Sequence, residues 1–264
     1  MSVEERGSRD KGSSLLSIKV IPDNNLRLTI DDHVYYFNPM TEDEELEEAD
    51  ADAIFVLEAG ELAHKDNPAQ SSGEGFELEN GIRLFQKPSS EIWCSRSFKQ
   101  HLEQRIADAR AGRCRFPGQK EFYLSLAGKV HWLHPQHLIA REGFTIRLLE
   151  FTQKPLVPAQ GAGILITIGE KNFLVASGAA CHADYTTSAV PRLEMLILDP
   201  HGPKEQTAPL VAFIQFLNPR KLFLKPQGLR KKLHAELLEQ LKARAPEVDV
   251  VSQKRFQMAI SGQH

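Results

Sequence analysis

The sequence has few of the features that mark secreted, membrane or nucleic-acid-binding chains. It has three cysteines in 264 residues, Cys94, Cys114 and Cys181, odd in number and with no Cys-x-x-Cys pair. That excludes a disulfide framework and a cysteine-built zinc site. No apolar run approaches the roughly 20 residues of a membrane-spanning helix, and the opening MSVEERGSRDKGSS is neither basic-headed nor apolar in its centre. A cytoplasmic chain without a membrane partner is expected. Positive charge is not in excess, since 32 Lys and Arg face 35 Asp and Glu for a net charge of -3, which speaks against nucleic acid as a partner.

What the sequence does have is an ordinary globular composition, 41% hydrophobic and 25% charged, long enough to bury a large core without staples. Residues 1–13 are polar and aperiodic and read as a flexible tail, with residues 14–264 as a single domain. Residues 17–21, 26–30 and 34–37 alternate as a meander of antiparallel strands that Asn38-Pro39 ends, and residues 53–57 (AIFVL) form a compact buried strand. The acidic block from Glu42 to Asp52 has no Gly-centred loop and reads as a solvated face. Residues 59–81 read as a long loop with one short helix.

Farther on, residues 98–111 carry Leu102, Ile106 and Ala109 at helical spacing before Gly112. Residues 122–126, 129–133 and 145–151 read as strands, and residues 164–168 and 173–176 as a hairpin across the four residues 169–172. The last third alternates: strand 193–198, helix 207–217, strand 221–224, amphipathic helix 229–245, and β segments at 248–251 and 256–260. An antiparallel beginning followed by strand-helix-strand units predicts an α/β fold with helices outside sheets. There is no internal repeat.

Four strings, taken in order, carry a family resemblance. These are NNLRLTIDDHVYYFNP, ADADAIFVLEAGELAH, GILITIGEKNFLVASGA and MLILDPHG with the later LNPRKLFLKP. Together they resemble the metallo-β-lactamase fold, in the branch similar to ascorbate-phosphate lactonase and related metal-dependent hydrolases, over most of residues 17–261. The resemblance implies an αββα sandwich, two mixed β-sheets face to face with helices outside. It also implies a ligand set for two metal ions, and here the sequence departs. The His-x-His-x-Asp-His positions fall on Glu58, Gly60, Leu62 and Ala63, the Asp of Ser-Gly-Asp on Ala179, and the final His on Lys225 or Pro226. No His lies between Gly143 and Gly178 to supply the ligand before the hairpin. Imidazoles and carboxylates have lone pairs for a dication, and an ammonium has none, so the dinuclear centre reads as erased and no metal or other cofactor is expected. A one-residue slip brings Glu61 or His64 near the first motif without restoring four ligands.

The expected function is therefore a degenerate, non-hydrolytic scaffold, a pseudoenzyme that binds a small ligand or a protein partner in the old cleft, with Lys225 as its ligand-binding candidate. The alternative is a divergent hydrolase, with a relocated metal site drawn from His64, His131, His134, His182 and His201, or a metal-free site around Cys181. For that reading the catalytic candidates are Cys181, His182, Asp184, His201 and Glu58, with Glu61 as a second carboxylate. Adjacent residues on an extended chain do not face one another, so Cys181 and His182 are poor mutual partners. Of His131, His134 and His137 in HWLHPQH, those three apart on a strand point to opposite faces and Pro135 breaks a helix; they read as scattered, although a loop can gather two. Lys221, Lys225, Arg230, Lys231 and Lys232 read as the wet face around a helix start.

Overall fold

The computed structural model describes residues 13–21, 25–39, 50–57, 73–114, 118–135, 137–151, 162–177, 180–181, 185, 189–199, 207–225, 231–251 and 253–261. In chain order it forms β1 (Ser13–Ile21), β2 (Asn25–Ile30), β3 (His33–Phe37), β4 (Ala51–Val56), α1 (Gly73–Phe85), β5 (Gln86–Cys94), α2 (Arg96–Arg110), α3 (Gln119–Ser125) and β6 (Val130–Trp132). Then come β7 (Leu138–Arg141), β8 (Phe144–Glu150), β9 (Ala162–Ile168), β10 (Lys171–Ser177), β11 (Met195–Asp199), α4 (Thr207–Leu217), β12 (Lys221–Leu224), α5 (Lys231–Arg244), β13 (Asp249–Val251) and β14 (Arg255–Ser261).

The strands make two seven-stranded sheets, sheet A in the order β14-β1-β2-β3-β4-β5-β6 and sheet B in the order β13-β12-β11-β10-β9-β8-β7. Each is half antiparallel and half parallel. In sheet A the pairs from β14 to β3 are antiparallel and those from β3 to β6 parallel. In sheet B the pairs from β7 to β10 are antiparallel and those from β10 to β13 parallel. Parallel neighbours need a crossover, and the helices supply those from β4 to β5 (α1), β5 to β6 (α2 and α3), β11 to β12 (α4) and β12 to β13 (α5).

Alternation along each strand sorts the side chains into three buried layers. Tyr35, Phe37, Ala53, Phe55 and Trp93 of sheet A meet Ile164, Ile166, Phe173, Val175, Ile197 and Phe223 of sheet B in the space between the sheets. Their neighbours Tyr36, Ile54, Val56 and Ile92 turn outward onto Ile82, Phe98 and Leu102 of the first helices. Leu174, Leu196, Leu198 and Leu222 turn outward onto Leu210, Ile214 and Leu237 of the last two. The result is the αββα sandwich with two mixed sheets and helices outside.

Several elements differ from the sequence reading. Residues 122–126 lie mostly in a helix, because Tyr123 and Leu126, three apart, both face the core while Leu124 between them is exposed. The one short helix expected within residues 59–81 is a 13-residue helix, α1, that extends past residue 81 to Phe85 and runs directly into β5. That strand lies between β4 and β6, yet only its last residues, Ile92, Trp93 and Cys94, form an apolar run. The hairpin of β9 and β10 is tighter than expected: Ile168 pairs with Lys171 across Gly169 and Glu170, and Gly169 takes φ 57°. Strand β7 was not foreseen.

Candidate functional site at the carboxyl ends of the parallel strands

Open α/β sheets place ligands outside the carboxyl ends of their parallel strands, so the side chains there define the candidate site. In β10, β11 and β12 the inward positions are Phe173 and Val175, Met195 and Ile197, and Phe223. The two-residue period continues beyond the last apolar residue and puts Ser177, Asp199 and Lys225 on the same, inter-sheet side. They are lateral neighbours. Ser177 registers with Asp199, and Lys225 follows the final Leu198 to Leu224 pair, its N–H donating to the Leu198 carbonyl at 3.1 Å.

The Lys225 ammonium donates to the Asp199 carboxylate at 2.5 Å, with the lysine side chain 9% exposed and the aspartate 20%. Ser177 is buried beside them. A buried ion pair of this kind neutralises both partners, and its hydrogen bond occupies a lone pair that a cation would need. On sheet A the same parity brings Leu57 to the end of β4, packed against the inter-sheet core. Asn38, just before Pro39, holds this corner: it has φ 42°, donates its N–H to the Phe55 carbonyl and accepts the Leu57 N–H on Oδ1, both at 2.8 Å. Among the described residues the rim presents Leu57, Ser177, Asp199 and Lys225, a set that does not fit a pair of divalent metal ions. Among the described residues no group of three or more His, Cys, Asp or Glu side chains is placed to hold a metal ion.

Of the residues singled out in the sequence, Lys225 lies on this rim. Glu58, Glu61, His64, His182, Asp184 and His201 lie outside the described residues, as do the positions Gly60, Leu62, Ala63, Ala179 and Pro226. Cys181 is buried in the layer of α4, and burial pushes its thiol up to about 11, so near neutral pH it is a thiol rather than the thiolate a nucleophile needs. Lys221, in the basic cluster, bonds Asp249 on the neighbouring strand. Sequence reading had passed over Asp199 and Ser177. The signal for both was available, since counting in twos from Ile197 and Val175 places them on the inner face.

The histidines of HWLHPQH are not scattered. His131 stacks on Trp93 with ring centres 4.6 Å apart, His137 leans on Trp93 at 4.7 Å, and His134 meets His137 edge to face at 5.4 Å. The short passage from β6 to β7 brings them together at the side of the sandwich. A separate cleft of about 610 Å³, lined by Val190, Arg192, Phe216, Pro219 and Arg220 among others, lies at the amino ends of β11 and β12, away from the rim. Two further carboxylates, half-buried Asp52 and buried Glu79, serve the framework. Asp52 accepts from the Val34 N–H at 2.8 Å and the Lys87 ammonium at 2.5 Å. Glu79 of α1 accepts from Tyr123 of α3 at 2.6 Å and bonds His101 of α2 at 2.7 Å.

Two mixed sheets packed face to face, with their crossover helices outside and the candidate site at the carboxyl rim, define the metallo-β-lactamase fold. Solved structures agree. The chain is similar to the metallo-β-lactamase fold protein YhfI from Bacillus subtilis, with 10% identity over 93% of this chain and 99% of that one and a TM-score of 0.53. It is also similar to Igni18, a metallo hydrolase from Ignicoccus hospitalis, at 9% identity over 94% and 100% of the two chains with a TM-score of 0.52. Zn(2+)-bound PqqB from Methylobacterium extorquens matches at 10% identity over 89% and 86%, again with a TM-score of 0.52. At such identities the likeness concerns the fold. No protein-family model matches the sequence, and no curated protein matches it.

Proposed function

We propose that this chain is a metallo-β-lactamase-fold scaffold without the dinuclear hydrolase chemistry, and that it binds a small ligand or a partner chain at the carboxyl rim. The observation that carries this reading is the Lys225 to Asp199 ion pair. The resemblance puts the last metal-binding imidazole on Lys225 or Pro226, and Lys225 neutralises the one carboxylate on the described part of the rim. Two dications brought to this place would meet an ammonium and a leucine. The protein acts in the cytoplasm; among the described residues no helix is long and apolar enough to cross a membrane.

Elemental analysis of purified chain, saturated with zinc or iron and then desalted, tests the reading. The expected result is no metal dependent on the rim, with lactone and phosphodiester substrates turning over no faster than in buffer. Two ions per chain, or hydrolysis lost with chelator and restored by metal, would overturn it.

A further inference from the structure

The six histidines whose side chains the structure describes differ in what their ring nitrogens meet. His101 bonds Glu79, and His33 lies 3.7 Å from Asp52. His234 also has a polar or ring partner. The rings of His131, His134 and His137 touch aromatic neighbours, and among the described residues their nitrogens make no hydrogen bond or ion pair. His134 and His137 are both partly open to solvent. Their backbones are tied together, the His137 N–H donating to the His134 carbonyl at 2.8 Å, so the two rings do not have to search for one another. Two imidazoles on one tetrahedral ion, each nitrogen at about 2.0 to 2.1 Å, hold their ring centres roughly 5 Å apart. The observed separation is 5.4 Å and the planes are 79° apart.

We infer that His134 and His137 form a two-imidazole site for a divalent ion of the zinc and copper kind, at the place where the chain passes from the edge strand of sheet A to the edge strand of sheet B. Imidazole suits zinc, copper and nickel, and the site leaves its remaining coordination positions to water or to a donor from a bound molecule. His131 is not part of it: it stacks on Trp93 and completes no three-ligand group with the pair. Two ligands in place of four imply an affinity on the order of ten micromolar, an exchangeable ion rather than a structural one. The site is independent of the carboxyl rim and of the function proposed for it.

The chain carries its own reporter, since both of its tryptophans lie against this pair, Trp93 at 4.7 Å from His137 and Trp132 at 5.1 Å from His134. Copper(II) titrated into the full chain should quench tryptophan fluorescence to a plateau at one ion per chain, and a large excess of zinc, which does not quench, should restore it by competition. His134→Gln and His137→Gln should each weaken the copper response at least tenfold, and His131→Gln should leave it within twofold. Zinc should raise the melting temperature of the unaltered chain but not of the double variant, a readout that needs no comparison of folded yields. No saturable quenching below 1 mM, a response that survives in the double variant, or one abolished equally by His131→Gln would each overturn the assignment. Zinc that the double variant still holds at two per chain would count against the proposed function of the rim instead.

Discussion

Among the described residues of the carboxyl rim, Lys225 and Asp199 engage one another and no group of three metal-binding side chains is placed there, whereas at the β6 to β7 edge His134 and His137 keep nitrogens that no described neighbour engages. The described pair on the rim is largely buried and internally neutralised; the edge is half open and rich in lone pairs. Both lie on the same sandwich, so architecture alone does not decide where ion chemistry can occur. The side chains that end each strand do.

The comparison can be broken most severely at the edge. Trp93 is 7% exposed, carries His131 and His137 on its ring and donates from Nε1 to Glu91 at 3.2 Å. Trp93→Ala should cost about 3–5 kcal/mol in urea denaturation, because the void lies between the two sheets. Next is the rim. Lys225→Met leaves the Asp199 carboxylate in a largely buried place and should cost roughly 3 kcal/mol, while adding Asp199→Leu should recover most of that loss. A double-mutant cycle measures the coupling, and purely additive losses would show that the pair does not act as a unit.

Thiol chemistry separates buried from open positions by a smaller margin. Burial raises Cys94 to about 12 and Cys181 to about 11, while Cys114 is partly exposed. With iodoacetamide at pH 8, peptide mass spectrometry should find Cys114 labelled at least about a hundredfold faster than Cys181. Equal rates would revive the metal-free site. The smallest effect is at Asp52. Burial pushes its carboxyl up, but the Lys87 ammonium and the Val34 N–H outweigh that and hold it below the usual carboxylate value. Its stabilisation is therefore fully present above a pH of about 4 and lost as the pH falls through the lowered value. Asp52→Asn should lower stability at pH 7 by about 0.5–1 kcal/mol and flatten the acid side of a stability profile by the same amount.

Much of the framework was legible because the apolar runs that build sheet B are long and end abruptly. Residues 221–224 and 207–217 have the same bounds in the structure as in the reading, since a buried parallel strand and the helix that covers it are apolar throughout. What escaped was apolar on one end or on one face. Strand β5 looks polar because Gln86 to Glu91 carry little hydrophobic surface, and α3 looks like a strand because FYLSL alternates as well as it repeats in threes. Lys225 stood out as one of the two positions, with Pro226, onto which the resemblance places the last His. Asp199 did not, because its partner is 26 residues away and only the parallel register of β11 and β12 sets them side by side. The histidine pair was legible only as the alternative that a loop can gather two, because Pro135 breaks a helix but not a turn.

The pairing of β1 with β14, in which Ser13 lies opposite Ser261, has a consequence for how the molecule is made. Strand β1 leaves the ribosome well before its partner β14, and until residues 255–261 emerge it has an uncovered margin with hydrogen-bonding groups facing water. A nascent chain stalled anywhere in between carries that sticky flank, so truncated products should be substrates for chaperones and proteases rather than smaller folded versions of the protein.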